Sequence, residues 1–211
     1  MRIAVVGATG PTGRLVIEEA LNREHEVVAY VRRPDALTHY SGLVIVGGQL
    51  DETARFAESL RGCDVLVCTL GTRSMRERRF MSTHLPLVTA AMLQAGVPRL
   101  VLMSALGVGD IPNRSRGASR LIFRMLSNFV FSDRTCSERA LTTSGIRWSA
   151  VYPGFLSDTP AHSIQVGDLD RVRGLSSDRI PRENVAKVLL DLAEDPAADG
   201  RRIALARQLK F

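Results

Sequence analysis

The stretch Val5-Val6-Gly7-Ala8-Thr9-Gly10-Pro11-Thr12-Gly13-Arg14-Leu15 decides how the rest of the chain is read. It begins inside an apolar run, Arg2–Val6, whose β-branched residues suit a buried strand. It ends inside Thr12–Asn22, where Leu15, Val16 and Ala20 recur at helical spacing and are expected to face inward. Between the two stand three glycines, each with a physical task. Gly7 permits a tight turn off the strand, Gly10 lets backbone come close to a bound group, and Gly13 lets helix and sheet pack closely. A helix starting there directs free N–H groups and the positive end of its dipole at whatever lies over the turn. Thr9 or Thr12 would add a hydroxyl donor. Strand, GxxGxxG turn, helix and a further strand, in that order, make the phosphate-binding unit of a dinucleotide site.

The further strand, Glu26–Val31, selects the dinucleotide. A unit built for NAD places Asp or Glu roughly 20 residues beyond the glycines, to hold the ribose hydroxyls. This chain reads Ala29-Tyr30-Val31-Arg32-Arg33-Pro34, with no acid before Asp35. Arg32 and Arg33 suit the extra 2′-phosphate of NADP(H), through charge-assisted and often bidentate contacts. The alternative, two solvated arginines at a strand end, stays open at this point.

Beyond it the pattern repeats. Leu43–Val46, Asp64–Leu70, Arg99–Ser104, Arg147–Tyr152 and Ile203–Ala206 read as strands. Glu52–Leu60, Thr83–Ala95, Ala118–Thr143 and Glu183–Glu194 read as helices, with Gly96 and Pro98 ending the second of them. Ala105–Gly117, rich in glycine, is a loop expected to lie over the site. Alternating strands and helices imply a Rossmann-like α/β fold: a doubly wound parallel sheet, covered on both faces, with a small C-terminal substrate region after Tyr152. At 211 residues a single domain is expected over 1–211, its cofactor half about 1–104 and its substrate-side elements about 105–211.

Composition removes other classes. The longest apolar runs are too short to span a bilayer, and the amino terminus enters Ile3–Val6 without a charged leader, so a cytoplasmic protein without membrane partners is expected. Cys63, Cys68 and Cys136 form no CxxC pair, and His25, His39, His84 and His162 lack ligand spacing, so neither a disulfide framework nor a metal site is indicated. Cys68 reads as a buried structural thiol. The net charge is +6, yet its arginines are spread along the chain and aromatics make up only 5%, too few for stacking platforms, which disfavours nucleic acid. Two arginine groups, Arg73–Arg79 and Arg114–Arg124, read first as solvated faces, then as sites for an anionic small molecule or a partner surface.

Taken in order, GATGPTG at Gly7–Gly13, VRRP at Val31–Pro34, LGT at Leu70–Thr72, MSALGV at Met103–Val108, SGIRWSAVYPGFLSD at Ser144–Asp158 and IPRENVA at Ile180–Ala186 resemble the atypical short-chain dehydrogenase/reductases. The likeness is to the NmrA-like and flavin reductase (biliverdin-IXβ reductase) type, and it runs over nearly the whole chain. It implies that Gly7, Thr9, Gly10, Pro11, Thr12 and Gly13 hold a pyrophosphate and that Arg32 and Arg33 hold a 2′-phosphate. It implies further that Leu70, Gly71 and Thr72 line the adenine–ribose side. Ser104 matches a serine beside the nicotinamide and is the candidate catalytic residue, with Pro153, Gly154 and Phe155 passing close to the same ring.

Three departures from the family pattern are visible. Gly48 is followed by Gln49 where Gly-Asp is common, with Asp51 displaced. The Tyr-xxx-Lys pair of classical members is missing: its helix reads Phe129-Val130-Phe131-Ser132-Asp133-Arg134. The histidine that flavin reductases carry after the sixth-strand proline is Phe155 here. The function implied is an NADPH-dependent reductase acting by hydride transfer on a small conjugated acceptor, a flavin, quinone or similar. The alternative is a non-catalytic NADP(H) sensor that regulates a protein partner, and a third, an extended epimerase or dehydratase, wants a longer chain and a tyrosine base.

Overall fold

The structure is a computed structural model of the 211-residue chain, and it describes residues 1–71, 79–105, 132–172, 174–175, 179–207 and 209–210. Strands β1 (Arg2–Val6), β2 (Glu26–Val31), β3 (Leu43–Gly47), β4 (Val65–Cys68), β5 (Arg99–Met103) and β6 (Arg147–Pro153) alternate with helices α1 (Pro11–Asn22), α2 (Thr53–Leu60), α3 (Phe80–Ala95) and α4 (Ser132–Thr142). There follow β7 (Phe155–Ser157), β8 (Gln165–Asp168), β9 (Gly174–Leu175), β10 (Arg179–Pro181), α5 (Arg182–Glu194), β11 (Arg202–Ala206) and β12 (Leu209–Lys210). Eight strands form one sheet in the order β3-β2-β1-β4-β5-β6-β11-β8. The first seven run parallel, and β8 lies antiparallel on β11 at the edge.

The period of two along each strand sorts the core into two layers. Ala4, Val6, Val28, Leu66 and Cys68 pack with Phe56 and Leu60 of α2, Leu85, Val88 and Met92 of α3 and Leu141 of α4. Ile3, Val5, Val27, Val65 and Val67 pack with Val16, Ile17 and Ala20 of α1 and Val185, Leu189 and Leu190 of α5. Both faces being covered, the strands carry apolar residues at successive positions, as parallel strands do. On α1 the inward stripe includes Ile17, whereas Leu15 is only half-buried. Strand order reverses between β1 and β4, and the crevice at the carboxyl ends of a doubly wound sheet opens at that switch point.

Three features differ from the local reading, each because a distant segment intervenes. Helix α3 begins at Phe80 rather than Thr83: the buried Asp133 carboxylate of α4 accepts from the backbone N–H of Met81 (2.7 Å) and Ser82 (2.9 Å). That cap satisfies N–H groups that a helix start leaves open. The segment after Tyr152, read only as a small substrate region, holds further strands: β8 extends the main sheet while β7 pairs β10 and β12 pairs β9 in two small sheets. And β11, the last of the strands read from the sequence, does not lie at the sheet's edge but inside it between β6 and β8. Most of the expected loop 105–117, the first part of the expected helix 118–143, and both arginine groups except Arg79 lie outside the described residues.

Candidate functional site

The glycine turn has the shape its residue types require. Gly7 has φ +78°, a conformation that L side chains rarely adopt, and a Cβ there would sit 2.7 Å from the Thr69 carbonyl carbon. Strand β4 is therefore packed directly against the turn, and Thr69 also donates its hydroxyl to the Val6 carbonyl (3.0 Å). A Cβ on Gly13 would meet the Gly7 carbonyl oxygen at 2.3 Å, so α1 can approach the turn only because Gly13 has none. Gly10 differs. It is the N-cap of α1, extended at φ −73° and ψ 161°, and a Cβ there meets only the Gly7 oxygen, at 3.1 Å. No side chain caps α1 and Pro11 holds its first position, so the helix start presents its N–H groups to the outside. The turn is an open cradle for an anion, and the residues fit a dinucleotide pyrophosphate.

A cavity of about 600 Å³ lies over this turn. Of the residues singled out from sequence, Gly7, Thr9, Gly10, Arg32, Leu70 and Gly71 line it. Pro11, Thr12, Gly13 and Arg33 do not: Thr12 and Gly13 are buried behind the turn, and Arg33 is exposed on the 3-10 turn that follows β2. Thr72 lies outside the described residues. Arg14, which the sequence reading passed over, ties this region together. Its guanidinium donates to the Thr9 carbonyl (3.3 Å) and to the Ala36 carbonyl, joining the glycine turn to the loop that carries Arg32 and Arg33.

The cavity's far wall was also missed. Phe80, Thr83, His84 and Leu87 line it from α3; their spacing is that of one helix stripe, which in a sequence looks like any core-facing stripe. The Phe80 and His84 rings stack at 4.3 Å. His84 Nδ1 stands 2.7 Å from the Phe80 carbonyl oxygen, an acceptor, so Nδ1 carries a proton. Tyr30 lines the floor, stacked on Phe56 at 4.4 Å, and donates its hydroxyl to the Gln49 carbonyl (3.0 Å). That bond fixes the loop in which Gln49 replaces the expected acid, and Asp51 reaches the cavity from the same loop. Gly48 is needed for it, since a Cβ there would lie 2.1 Å from the Tyr30 oxygen.

Ser104 and Pro153–Phe155 stand at the carboxyl ends of β5 and β6, beyond the cavity's lining. Ser104 is 3% exposed and donates its hydroxyl to Glu138 Oε1 of α4 (2.5 Å). Tyr152 is fully buried and donates to Glu138 Oε2 (2.7 Å). Burial, with the neighbouring Glu138 carboxylate, pushes the Tyr152 hydroxyl far above the usual phenol range. Phe155, in contrast, is 53% exposed. His162 sits in an exposed loop held to α5 by Asn184, with Nδ1 at 3.0 Å from the Ser163 carbonyl. Burial pushes the Cys63 thiol up to about 11, which keeps it neutral and unreactive near pH 7. Among the described residues, no three His, Cys, Asp or Glu side chains gather as metal ligands, and no helix is long and apolar enough to cross a membrane.

A mostly parallel sheet with an uncapped helix start over its switch point, and a cavity of about 600 Å³ beside it, defines a Rossmann dinucleotide-binding protein. A family model described as NAD(P)H-binding matches residues 7–196, and the chain belongs to that family. It is 26% identical over 216 residues to an oxidoreductase of Pestalotiopsis microspora, covering 91% of this chain and 79% of that one. To the photosystem II assembly factor Ycf39 of Synechocystis it is 29% identical over 117 residues, 53% of this chain, and it spans only 36% of that protein's length. Among solved structures, the anaerobilin reductase ChuY of Escherichia coli O157:H7 superposes over the whole of both chains with a TM-score of 0.79 at 24% identity, a likeness of fold.

Proposed function

We propose that the chain is an NADPH-dependent reductase that passes hydride to a small conjugated acceptor of the flavin or quinone kind. The observation that carries this reading is the chemistry at the ends of β5 and β6. Ser104 offers a neutral hydrogen-bonding oxygen, the Gly154 N–H being given to the Leu205 carbonyl (3.3 Å), while Tyr152, on the strand that ends at Pro153, is buried with its hydroxyl turned to Glu138. A planar, electron-poor acceptor needs little more, because its own heteroatoms take up the charge and then a proton from water. NADPH, when bound, supplies the hydride.

The chain's own residues bind and orient. Gly7, Thr9, Gly10 and the Pro11–Gly13 turn of α1 hold the pyrophosphate, and Arg32 with Arg33 takes the 2′-phosphate. Leu70 and Gly71, which line the cavity with the α3 stripe, take the adenine–ribose side together with Thr72. Ser104 and Pro153–Phe155 flank the nicotinamide. A relative named as an oxidoreductase over most of both chains agrees in kind with this reading.

The second reading, a non-catalytic NADP(H) sensor with a protein partner, draws on Ser104 being buried with its proton engaged by Glu138. One experiment separates the two. The protein is mixed with NADPH and a panel of flavins and quinones, and NADPH absorbance is followed. Sustained oxidation with at least one acceptor is expected; tight NADPH binding without turnover across the panel would replace the reductase by the sensor.

A further inference from the structure

We propose that Glu138 is a positioning residue for the nicotinamide end of the site: it takes the Ser104 hydroxyl proton, so that Ser104 meets a bound dinucleotide as a hydrogen-bond acceptor only. The inference rests on the placement of Ser104 beside the nicotinamide given above.

The direction of the bonds among Ser104, Glu138, Tyr152 and Arg202 follows from the far end of the group. Arg202 Nε donates to the Tyr152 hydroxyl oxygen (3.3 Å) while Arg202 Nη1 bonds Asp170 (3.1 Å). A guanidinium has donors and no acceptor, so the Tyr152 oxygen receives and its own proton goes elsewhere. It goes to Glu138 Oε2, at 2.7 Å. The Tyr152 hydroxyl, held far above its ordinary pKa by burial and by Glu138, keeps that proton throughout the working range. Glu138 Oε1 then receives the Ser104 proton.

Backbone geometry locks the serine in place: its N–H donates to the Val151 carbonyl at 2.8 Å. Ser104 and Glu138 are 3% and 8% exposed, so water competes poorly for these bonds. A serine hydroxyl left free to rotate donates or accepts as its neighbour requires. With its proton held by Glu138, Ser104 retains only lone pairs, and the partner it selects is a donor. The nicotinamide carboxamide N–H is such a donor; the carbonyl oxygen of the same group is not.

The test uses NADP⁺ and its 3-acetylpyridine analogue, in which a methyl group replaces the carboxamide nitrogen and the carbonyl remains. Dissociation constants of both are measured by calorimetry on the full chain. Wild type should favour NADP⁺ by about tenfold, the worth of one well-made hydrogen bond. Ser104→Ala should bring the ratio close to one. Glu138→Gln should do the same: with Tyr152 still donating to the amide oxygen, the amide N–H₂ faces Ser104 and frees its proton. Tyr152→Phe leaves the Ser104–Glu138 bond in place and should keep the wild-type ratio.

A merely structural role for Glu138 would weaken both ligands together and leave the ratio alone; that result overturns the proposal. If Glu138→Gln does not fold, an unchanged ratio in Ser104→Ala overturns it equally. Failure of wild type to bind NADP⁺ at all is a different result: it removes the dinucleotide reading itself, and the proposal with it.

Discussion

Replacing Gly10 and Gly13 by alanine, one at a time, separates binding from folding within a single turn. At Gly13 the added methyl would lie 2.3 Å from the Gly7 carbonyl oxygen and 2.8 Å from Ala8 Cα. Both are backbone atoms, and the first contact is roughly 1 Å shorter than a close C···O approach of about 3.3 Å. Helix α1 must move off the turn, an overpacking that costs about 1–3 kcal/mol. In a chain of this size each kcal/mol lowers Tm by about 2–4 °C. At Gly10 the backbone is already in a conformation open to any residue, φ −73° and ψ 161°, and the methyl meets only the Gly7 oxygen at 3.1 Å. The alanine there also loses less chain entropy on folding, worth about 0.4–1 kcal/mol, which offsets the mild crowding. Gly10→Ala should therefore unfold close to wild type. Gly10 lines the cavity, and with the pyrophosphate placed as proposed the alanine methyl crowds the bound phosphate. Each charge-assisted bond lost is worth about 1.5–3 kcal/mol, so NADPH affinity should fall by about a hundredfold. Thermal unfolding followed by circular dichroism and NADPH titration by calorimetry read the two effects. Gly10→Ala binding NADPH like wild type would show that the phosphates are held elsewhere, and Gly13→Ala melting no earlier than Gly10→Ala would refute the packing argument.

The joint replacement of Arg32 and Arg33 by alanine should erase a preference for NADPH over NADH of about tenfold or more and leave NADH binding little changed; equal affinities already in wild type, measured at moderate salt, would dispose of the 2′-phosphate assignment. Arg99, 7% exposed, donates to the Leu192, Ala193 and Asp195 carbonyls at the end of α5 and pairs with Asp199 at 3.0 Å. Arg99→Ala should cost on the order of 3 kcal/mol by urea unfolding, and Arg99→Lys should recover little of it, because an ammonium cannot span these acceptors; near-wild-type stability of the lysine variant would contradict this. Burial raises the Glu194 carboxyl, but His25 at 2.7 Å and Arg23 at 3.0 Å outweigh it and hold the pKa below the ordinary value. A lowered carboxylate contributes stability that is present above its unfolded pKa of about 4.3 and is lost as pH falls through the folded value. His25→Ala should accordingly move the acid unfolding midpoint upward, and an unmoved midpoint would show the pair to be idle.

The sequence by itself determined what depends on a few neighbouring residues. The unbroken apolar runs Ile3–Val6 and Val27–Val31, the 3.6 spacing of Val16 and Ala20, and the glycines at 7, 10 and 13 act through local backbone freedom and side-chain direction. They were enough to locate strands, helices and the anion cradle, and the arginines at the end of β2 lie close enough to that cradle in sequence to be read with it. Only the tertiary structure decided which distant residues meet. It set Asp133 at the start of α3, brought Thr83, His84 and Leu87 to a cavity along with Phe80, which packs against the core as well, and put β11 inside the sheet. It also joined Ser104 to Glu138, 34 positions away, and Tyr152 to Arg202, 50 positions away. No periodicity encodes such pairs, because they are chosen by how two sheet faces and their helices close over one another, and a buried hydroxyl or carboxylate must then find its partner among whatever that packing brings near.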